Sequence, residues 1–211
     1  MIRSPHRDAL RLLYVLKAGG EQLKDSYAPD EVMIFKGEAR LLAFDFWMRN
    51  PDYLAAELLD LFEETGNEVW LGEALSIIEN NEPDLRRVPM IRYFFGAYER
   101  LDDALSLLRS RDLVRITGIK RSDDKSRETH FILTVQGHDL CANAVVQEPI
   151  LKWYEDRSFL VSRVAGNKGG SALKQQQYQR ASYAETRLGG IIPSITEDVV
   201  QRLIAIRAAS K

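Results

Sequence analysis

The stretch from Leu101 to Asp139, LDDALSLLRSRDLVRITGIKRSDDKSRETHFILTVQGHD, constrains the fold more than any other part of the chain. Leu101, Ala104, Leu105 and Leu108 follow i, i+3, i+4, i+7 spacing, which puts one apolar stripe along a helix. Leu113–Thr117 then alternates apolar and polar residues with the period of a half-buried strand, and His130–Val135 does the same. Seven of the nine residues in Lys120–Glu128 are charged, so the segment between the strands reads as a solvated hairpin tip. Leu113–Thr117 and Phe131–Val135 are expected to pair antiparallel, with Val114, Ile116 and Ile132 on the buried face; a one-residue slip would turn them to the other side. Gln136-Gly137-His138 leads into a further helix. Helix, strand, charged tip and strand form the second half of a winged helix, a helix-turn-helix with a β-hairpin added.

The flanking sequence is helical in pattern. Ser4 as N-cap and Pro5 at the first position open a helix that Ala18-Gly19-Gly20 ends. Ala28-Pro29 marks a turn, with Asp30 as a cap, before an apolar segment, Glu31–Lys36, that fits either a strand or a helical turn. Glu38–Met48 is apolar nearly all round and is expected to be deeply buried. Asn50-Pro51-Asp52 restarts the helix with a cap, an N1 proline and an acid against the helix dipole. The new helix, Tyr53–Glu64, turns Leu54, Leu58, Leu61 and Phe62 inward, and Gly66 closes it. Asn67 caps a third helix running to Asn80, with Val69, Trp70, Leu71, Leu75 and Ile78 inside. Pro83 and Pro89 punctuate a link to the aromatic run RYFFGAY at Arg92–Tyr98. Beyond the hairpin, Gly137–Val146 is a closing helix with Leu140, Cys141 and Val145 apolar, and Pro149–Val164 is another. Ala165–Ser171 is a glycine-rich loop, Gln175-Gln176-Gln177 lies in a polar helix, and Thr196–Ala209 is a last amphipathic helix built on Val199, Val200, Leu203 and Ile204.

Charge is segregated along the chain although the net charge is only −2. Asp30–Asp84 holds 14 acidic and 3 basic residues, Arg86–His138 holds 11 basic and 7 acidic, and Leu151–Gly190 holds 7 basic and 3 acidic. Such asymmetry predicts either two faces with different partners or helices that simply alternate solvated charges. It divides the chain into an acidic helical region at 1–84, a helix-plus-wing region at 85–147 that forms one domain with 38–84, and a helical extension at 148–211. No apolar run reaches the roughly 18 residues that span a bilayer. The N-terminus makes a better amphipathic helix than signal peptide, because Asp8, Arg11 and Lys17 interrupt its apolar patch. Cys141 is the only cysteine, so a reducing cytoplasm is the expected location.

The residue types that catalysis needs are sparse. Only His6, His130 and His138 are present, and no His, Cys and acid cluster has metal-ligand spacing. His138 and Cys141 stand at i, i+3, which fits a thiol–imidazole pair or, more simply, a core thiol beside a partly exposed ring. Glu63, Glu64, Glu68 and Glu73 read as a solvated face. Gly166-Asn167-Lys168-Gly169-Gly170-Ser171 lacks the spacing and the Gly-Lys-Ser/Thr ending of a phosphate loop.

Binding is better represented. The Leu101 helix offers Arg100, Asp102, Asp103, Ser106, Arg109 and Ser110 on its polar face, and its two leading acids oppose phosphate. Lys120, Arg121, Lys125 and Arg127 in the hairpin tip suit sequence-independent phosphate contact, unless the tip is an ordinary solvated one. Arg86, Arg87, Arg92, Arg111 and Arg115 could add to that field. RYFFGAY is either core or a docking surface.

Glu38–Leu59, EARLLAFDFWMRNPDYLAAELL, resembles the N-terminal signature of middle-component proteins from bacterial three-component ABC-ATPase systems. Those carry a phrase of the type L-D-F-x-x-R-x-P-x-Y-L-A, which stands here as Phe44-Asp45-Phe46-Trp47-Met48-Arg49-Asn50-Pro51-Asp52-Tyr53-Leu54-Ala55. Met90–Tyr98 followed by Leu107–Val114 is similar to their second block, and Leu133-Thr134-Val135-Gln136-Gly137 to the exit from their wing. The likeness covers about half the chain; Phe94-Phe95 and the helix at Asn67–Asn80 depart from it. It implies a winged-helix adaptor beside an SMC-like ATPase and a variable effector, in antiphage defence, and it implies no catalytic residues.

The expected protein is mostly α with a small β-hairpin: a winged-helix core with extra N- and C-terminal helices. Its expected function is that of a nonenzymatic, cytoplasmic adaptor linking an SMC-like ABC ATPase or effector to DNA. The alternative is a dimeric winged-helix transcription regulator. Arg109, Lys120, Arg121, Lys125 and Arg127 are the expected DNA contacts, and Tyr93, Phe94, Phe95 and Tyr98 the expected protein contacts. Self-association as a homodimer is allowed for; no metal, cofactor, catalytic residue or membrane partner is expected.

Overall fold

Local signals set most of the helix ends. Ser4 Oγ accepts from the Arg7 N–H at 3.4 Å and Pro5 occupies the first turn, as the sequence predicts. The computed structural model describes residues 4–24, 28–94, 96–120 and 127–209, with 119, 120 and 127 described by their backbone alone. In chain order the elements are α1 (Pro5–Gly19), β1 (Glu21–Gln22), β2 (Glu31–Lys36), α2 (Glu38–Arg49), α3 (Pro51–Thr65), α4 (Glu68–Glu79), α5 (Glu82–Arg86), β3 (Ile91–Tyr93) and β4 (Gly96–Tyr98). Then come α6 (Asp102–Ser110), β5 (Val114–Lys120), β6 (Arg127–Thr134), α7 (Val135–Gln147), a 3₁₀ turn (Pro149–Leu151), α8 (Lys152–Ala165), α9 (Gly170–Tyr178), α10 (Ala181–Ala184) and α11 (Thr196–Ala209). The protein is mostly helical with a small antiparallel sheet.

Contacts group these elements into two compact units, each built from two separated stretches: Met1–Asp45 with Glu99–Lys174, and Phe46–Tyr98 with Gln175–Lys211. The boundaries at 84 and 147 suggested by charge and proline follow composition, whereas these units follow packing.

In the first unit the strands run in the order β1-β2-β6-β5, all antiparallel. Glu31–Lys36, open in the sequence between strand and helical turn, is a strand. The hairpin register pairs Val114 with Leu133 and Ile116 with Phe131, while β2 sets Met33 against Leu133 and Phe35 against Phe131. One face of the sheet therefore carries Met33, Phe35, Val114, Ile116, Phe131 and Leu133. Phe35 packs edge-on against Phe44 at 5.4 Å and Phe131 at 6.4 Å. Ile132 lies in the alternate row with Arg115 and Ile34, so its expected place beside Val114 and Ile116 is corrected by one residue of register. Val135 likewise begins α7 and does not end the strand.

Helix α1 packs against α6, α7, α8 and the sheet, which is why Leu12, Leu13, Tyr14, Val15 and Leu16 are all buried. Its one buried cation, Arg11, donates to Asp45 and Asp8 at 2.6 Å each. The join between hairpin and α7 is tight. Thr134 Oγ1 accepts from the Gly137 N–H at 3.1 Å and donates to the Asp112 carbonyl at 2.7 Å. That leaves no room at Gly137, where a Cβ would stand 2.2 Å from the Leu113 carbonyl oxygen.

The second unit packs α3 against α4, α5 and α11. Pro51 and Asp52 stand in the first turn as expected, where Asp52 Oδ1 accepts from the Tyr53 N–H at 3.0 Å, but Asn50 differs from expectation. The Asn50 side chain makes no N-terminal cap; its Nδ2 donates backward to the Phe46 carbonyl at 2.9 Å. Asp52 Oδ2 accepts from Ser194 Oγ and the Ile195 N–H, both at 2.7 Å, so the acid placed by the helix-start signal serves a segment far along the chain. Asn67 does cap α4, accepting from the Val69 N–H at 3.0 Å. The buried face of α4 is Ala74 and Ile77, however, and Val69 is exposed, because the stripe facing α3 is narrower than the apolar set in the sequence. Ile204 is similarly turned outward on α11, while Val199 and Leu203 are buried.

Candidate functional site

The hairpin of the first unit is the first candidate surface. Lys120 and Arg127 face each other across β5 and β6 as the last paired residues, so both belong to the strands and not to the tip. Arg121 and Lys125 lie outside the described residues. Arg109 is exposed on α6, beyond the exposed acids Asp102 and Asp103 of the first turn.

The base of the same hairpin is electrically closed. Arg115 donates to Asp30 at 2.5 and 3.0 Å, to Asp112 at 2.8 and 3.0 Å, and to Glu31 at 3.2 Å. Hydrogen bonding to Asp30, then to Asp112 and Glu31, raises the Arg115 pKa, and the same bond lowers that of Asp30. Arg115 is thus spent within the fold. In the second unit Arg87 donates to the Ile192 carbonyl at 2.7 Å. Arg92 donates to the Thr186 carbonyl and lies over the Tyr178 ring. Of the five arginines that could have reinforced the tip, these three hold the chain together instead. Arg111 is exposed.

RYFFGAY, in the second unit, contains a short antiparallel strand pair with a turn at Phe94. β3 pairs with β4 in the register Ile91↔Tyr98, Arg92↔Ala97, Tyr93↔Gly96. On the other side of β3, Ile91 forms a bridge with Ile191. Directly opposed residues share a face, so Ile191, Ile91 and Tyr98 form one row, with Tyr93 two residues further on. Phe94 is 64% exposed, Tyr93 46% and Tyr98 39%, and Ile91 and Ile191 are exposed as well. The Tyr93 ring lies 5.0 Å from that of Phe94 and 5.5 Å from that of Tyr98. Phe95 lies outside the described residues.

The hairpin is anchored from its other face. The Ala97 N–H donates to Tyr183 Oη at 2.5 Å, and Tyr183, fully buried, sits edge-on to Phe46 and Tyr178. Burial raises the Tyr183 pKa, which keeps its hydroxyl neutral. Of the two readings open for this run, core and surface, its aromatics at 93, 94 and 98 take the surface. The signal available in the sequence was alternation: Arg92 and Ala97 pair on one side and leave the rings on the other.

The residues weighed for chemistry are not brought together. Cys141 is fully buried, and burial pushes its thiol up to about 12. Its carbonyl accepts from Tyr14 Oη at 2.9 Å. His138 contacts Asp139 at 3.2 Å through Nδ1. Among the described residues no group of three His, Cys, Asp or Glu side chains could hold a metal ion. The glycine-rich loop after α8 borders a cleft of about 940 Å³ with α1, β2 and the start of α2. Arg40 fastens this loop, donating to the carbonyls of Gly19 at 2.7 Å, Lys168 at 3.3 Å and Gly166 at 3.4 Å while lying over Phe35 and Phe44. Lys36 is paired with Glu21 at 2.7 Å. Glu21, Glu38 and Glu128 balance Lys36, Arg40 and Lys168 around the cleft, so it has no anion-attracting field.

The motif that carries the family resemblance is interior. Asp45 pairs with Arg11; Arg49 donates to the Val88 and Pro89 carbonyls at 3.1 Å each; Tyr53 donates to the Pro193 carbonyl at 3.2 Å. Its polar residues brace the fold and present nothing to a partner. No protein-family model, curated protein or solved structure matches the chain.

Proposed function

We propose that the chain is a nonenzymatic winged-helix adaptor that docks a protein, an SMC-like ATPase or effector, through its aromatic hairpin and touches DNA through its charged one. The observation that carries this reading is topological. α1, β2, α2, α6, β5 and β6 follow one another in the order of a winged helix, with β2 beside β6 in the sheet and residues 50–101 inserted between the second and third helices. In that reading β5–β6 is the wing and α6 the helix offered to a groove. The fold alone does not choose a function.

Two observations favour an adaptor over a sequence-reading regulator. Asp102 and Asp103 are exposed in the first turn of α6, the turn that reads bases in a helix-turn-helix. Arg115 is held by three acids, so the base of the wing is net negative and offers phosphate no cation, which leaves the cations in sequence at 120–127 for that contact. The row Ile191, Ile91, Tyr98 and Tyr93, rimmed by Phe94, is the composition of an interface centre rather than a rim. Cytoplasmic location and a part in antiphage defence belong to the same reading and rest on the family resemblance. The test is co-expression with the products of the neighbouring genes, among which this reading expects an SMC-like ATPase. Tyr93→Ala with Phe94→Ala should abolish co-purification while leaving DNA affinity unchanged. Retained co-purification by the folded double variant would refute docking through this surface.

A further inference from the structure

α7 carries both a groove and the apolar residues that would fill one, on a single face. A cleft of about 610 Å³ opens between α1, α6 and the N-terminal half of α7, lined by Leu10, Leu13, Leu107 and Leu140 with Arg111 and Asp139 at its edge. On α7 the lining residues are Gln136, Asp139, Leu140 and Asn143. The α7 face continues at three-residue spacing to Val146; the helix then ends at Glu148, whose backbone is not helical, and Ile150 follows in the 3₁₀ turn. Val146 and Ile150 are 81% and 65% exposed, among the most exposed large apolar residues of the chain. An apolar hole at one end of a face and apolar knobs at the other is the arrangement that a two-fold axis satisfies, because each copy then supplies the knob for the other's hole.

We infer that the chain forms a homodimer in which α7 packs antiparallel on the α7 of a second copy, about a two-fold axis at Asn143. With the axis there, position 146 of one copy falls over 140 of the other, and the 3₁₀ turn that carries Ile150 follows beyond it. Val146 thereby enters the leucine-lined cleft. Asn143 meets its own copy, and its amide both donates and accepts, so the pair is self-satisfying and fixes the register. The cleft lining carries Arg111, exposed and without a side-chain partner among the described residues, and Asp139, and the exposed Glu148 follows Val146 by two residues, so the contact brings charges of both signs together. A heterologous partner would have no reason to find knob and hole on one helix face. The inference is independent of the adaptor reading and survives its failure.

Sedimentation of the full chain from about 1 to about 100 µM should give a mass of about twice the 24.1 kDa monomer at the upper end. Val146→Asp with Ile150→Asp, both at exposed sites, should leave the circular dichroism unchanged, remove any dependence of Tm on protein concentration and give a monomer throughout. A Leu140→Cys, Val146→Cys variant reports the register. Six residues apart on one helix, the two thiols cannot meet within a chain, but across the axis they should close two disulfides and yield a covalent dimer on mild oxidation. A monomer at every concentration would overturn the inference, as would a dimer insensitive to Val146→Asp/Ile150→Asp or one that does not cross-link between 140 and 146.

Discussion

Gly137→Ala tests the geometry that joins the hairpin to α7. In an open helix the change is favourable by about 1 kcal/mol, because alanine loses less backbone freedom than glycine. Here the new Cβ would stand 2.2 Å from the Leu113 carbonyl oxygen, 2.9 Å from Leu133 Cδ1 and 3.1 Å from the Leu113 carbonyl carbon. Relief needs a shift of roughly 1 Å in backbone, since ordinary contacts begin above about 3.2 Å. The Leu113 oxygen accepts from the Thr134 N–H and from Thr134 Oγ1, both at 3.2 Å, so moving it weakens two hydrogen bonds. Overpacking costs about 1–3 kcal/mol and the hydrogen bonds about 1 kcal/mol each, against the gain of about 1 from propensity. The net expectation is a loss of about 2–4 kcal/mol, or roughly 4–16 °C in Tm for a chain of this size. Gly72→Ala is the control: it lies in α4 with nothing within 4 Å of a built Cβ, and should gain about 0.5–1 kcal/mol. Both are measured by urea and thermal unfolding. If Gly137→Ala proved as stable as the parent, or more so, the close approach of α7 to Leu113 would be wrong, and with it the placement of the hairpin.

Three further outcomes follow from individual side chains. Cys141 in the folded protein should resist iodoacetamide at pH 8 and react fully in denaturant, because burial holds its thiol up at about 12; rapid native alkylation would contradict its placement. Asp30 should titrate below the ordinary aspartate range by NMR and return to it in Arg115→Gln, since the Arg115 hydrogen bond lowers its pKa. Its folded pKa being depressed, the stabilisation it gives is present above the unfolded aspartate pKa and is lost as pH falls through the folded value. A stability difference between parent and Arg115→Gln that grew as pH fell would contradict the assignment. Phe94→Ala, at an exposed turn, should change stability by less than about 0.5 kcal/mol, so a large destabilisation would show that the ring is packed.

Local signals in the sequence located the hairpin, the helix starts at Ser4 and Asn67, and the glycine end of α3, because caps and alternation depend on near neighbours. What depends on distant neighbours was less legible. The strand identity of Glu31–Lys36 is settled by pairing with β6, about a hundred residues away, which no local pattern contains. Asn50 carries a helix-start signature, yet its side chain turns back to Phe46, and Asp52, in the first turn as its signature implies, also holds Ser194 and Ile195. The exposure of Val69 and Ile204 reflects how narrow a stripe α3 and its neighbours cover. For the candidate surfaces, the aromatic run was visible, but its outward face required the β3–β4 register. The engagement of Arg115 by acids, and of Arg87 and Arg92 by carbonyls, from other segments could not be read from charge counts along the chain.

The wing is tested most directly by the salt dependence of binding to a random DNA duplex, measured by fluorescence anisotropy for the parent and for a variant with Lys120, Arg121, Lys125 and Arg127 all reversed to glutamate. If these four cations touch phosphates, log K against log salt should flatten by about 3–4 units in the variant, at roughly 0.9 per contact, and affinity should fall alike for every duplex. Parallel slopes for the two proteins, or an interaction of the parent that is strongly selective for one sequence, would contradict a wing that holds DNA by its backbone.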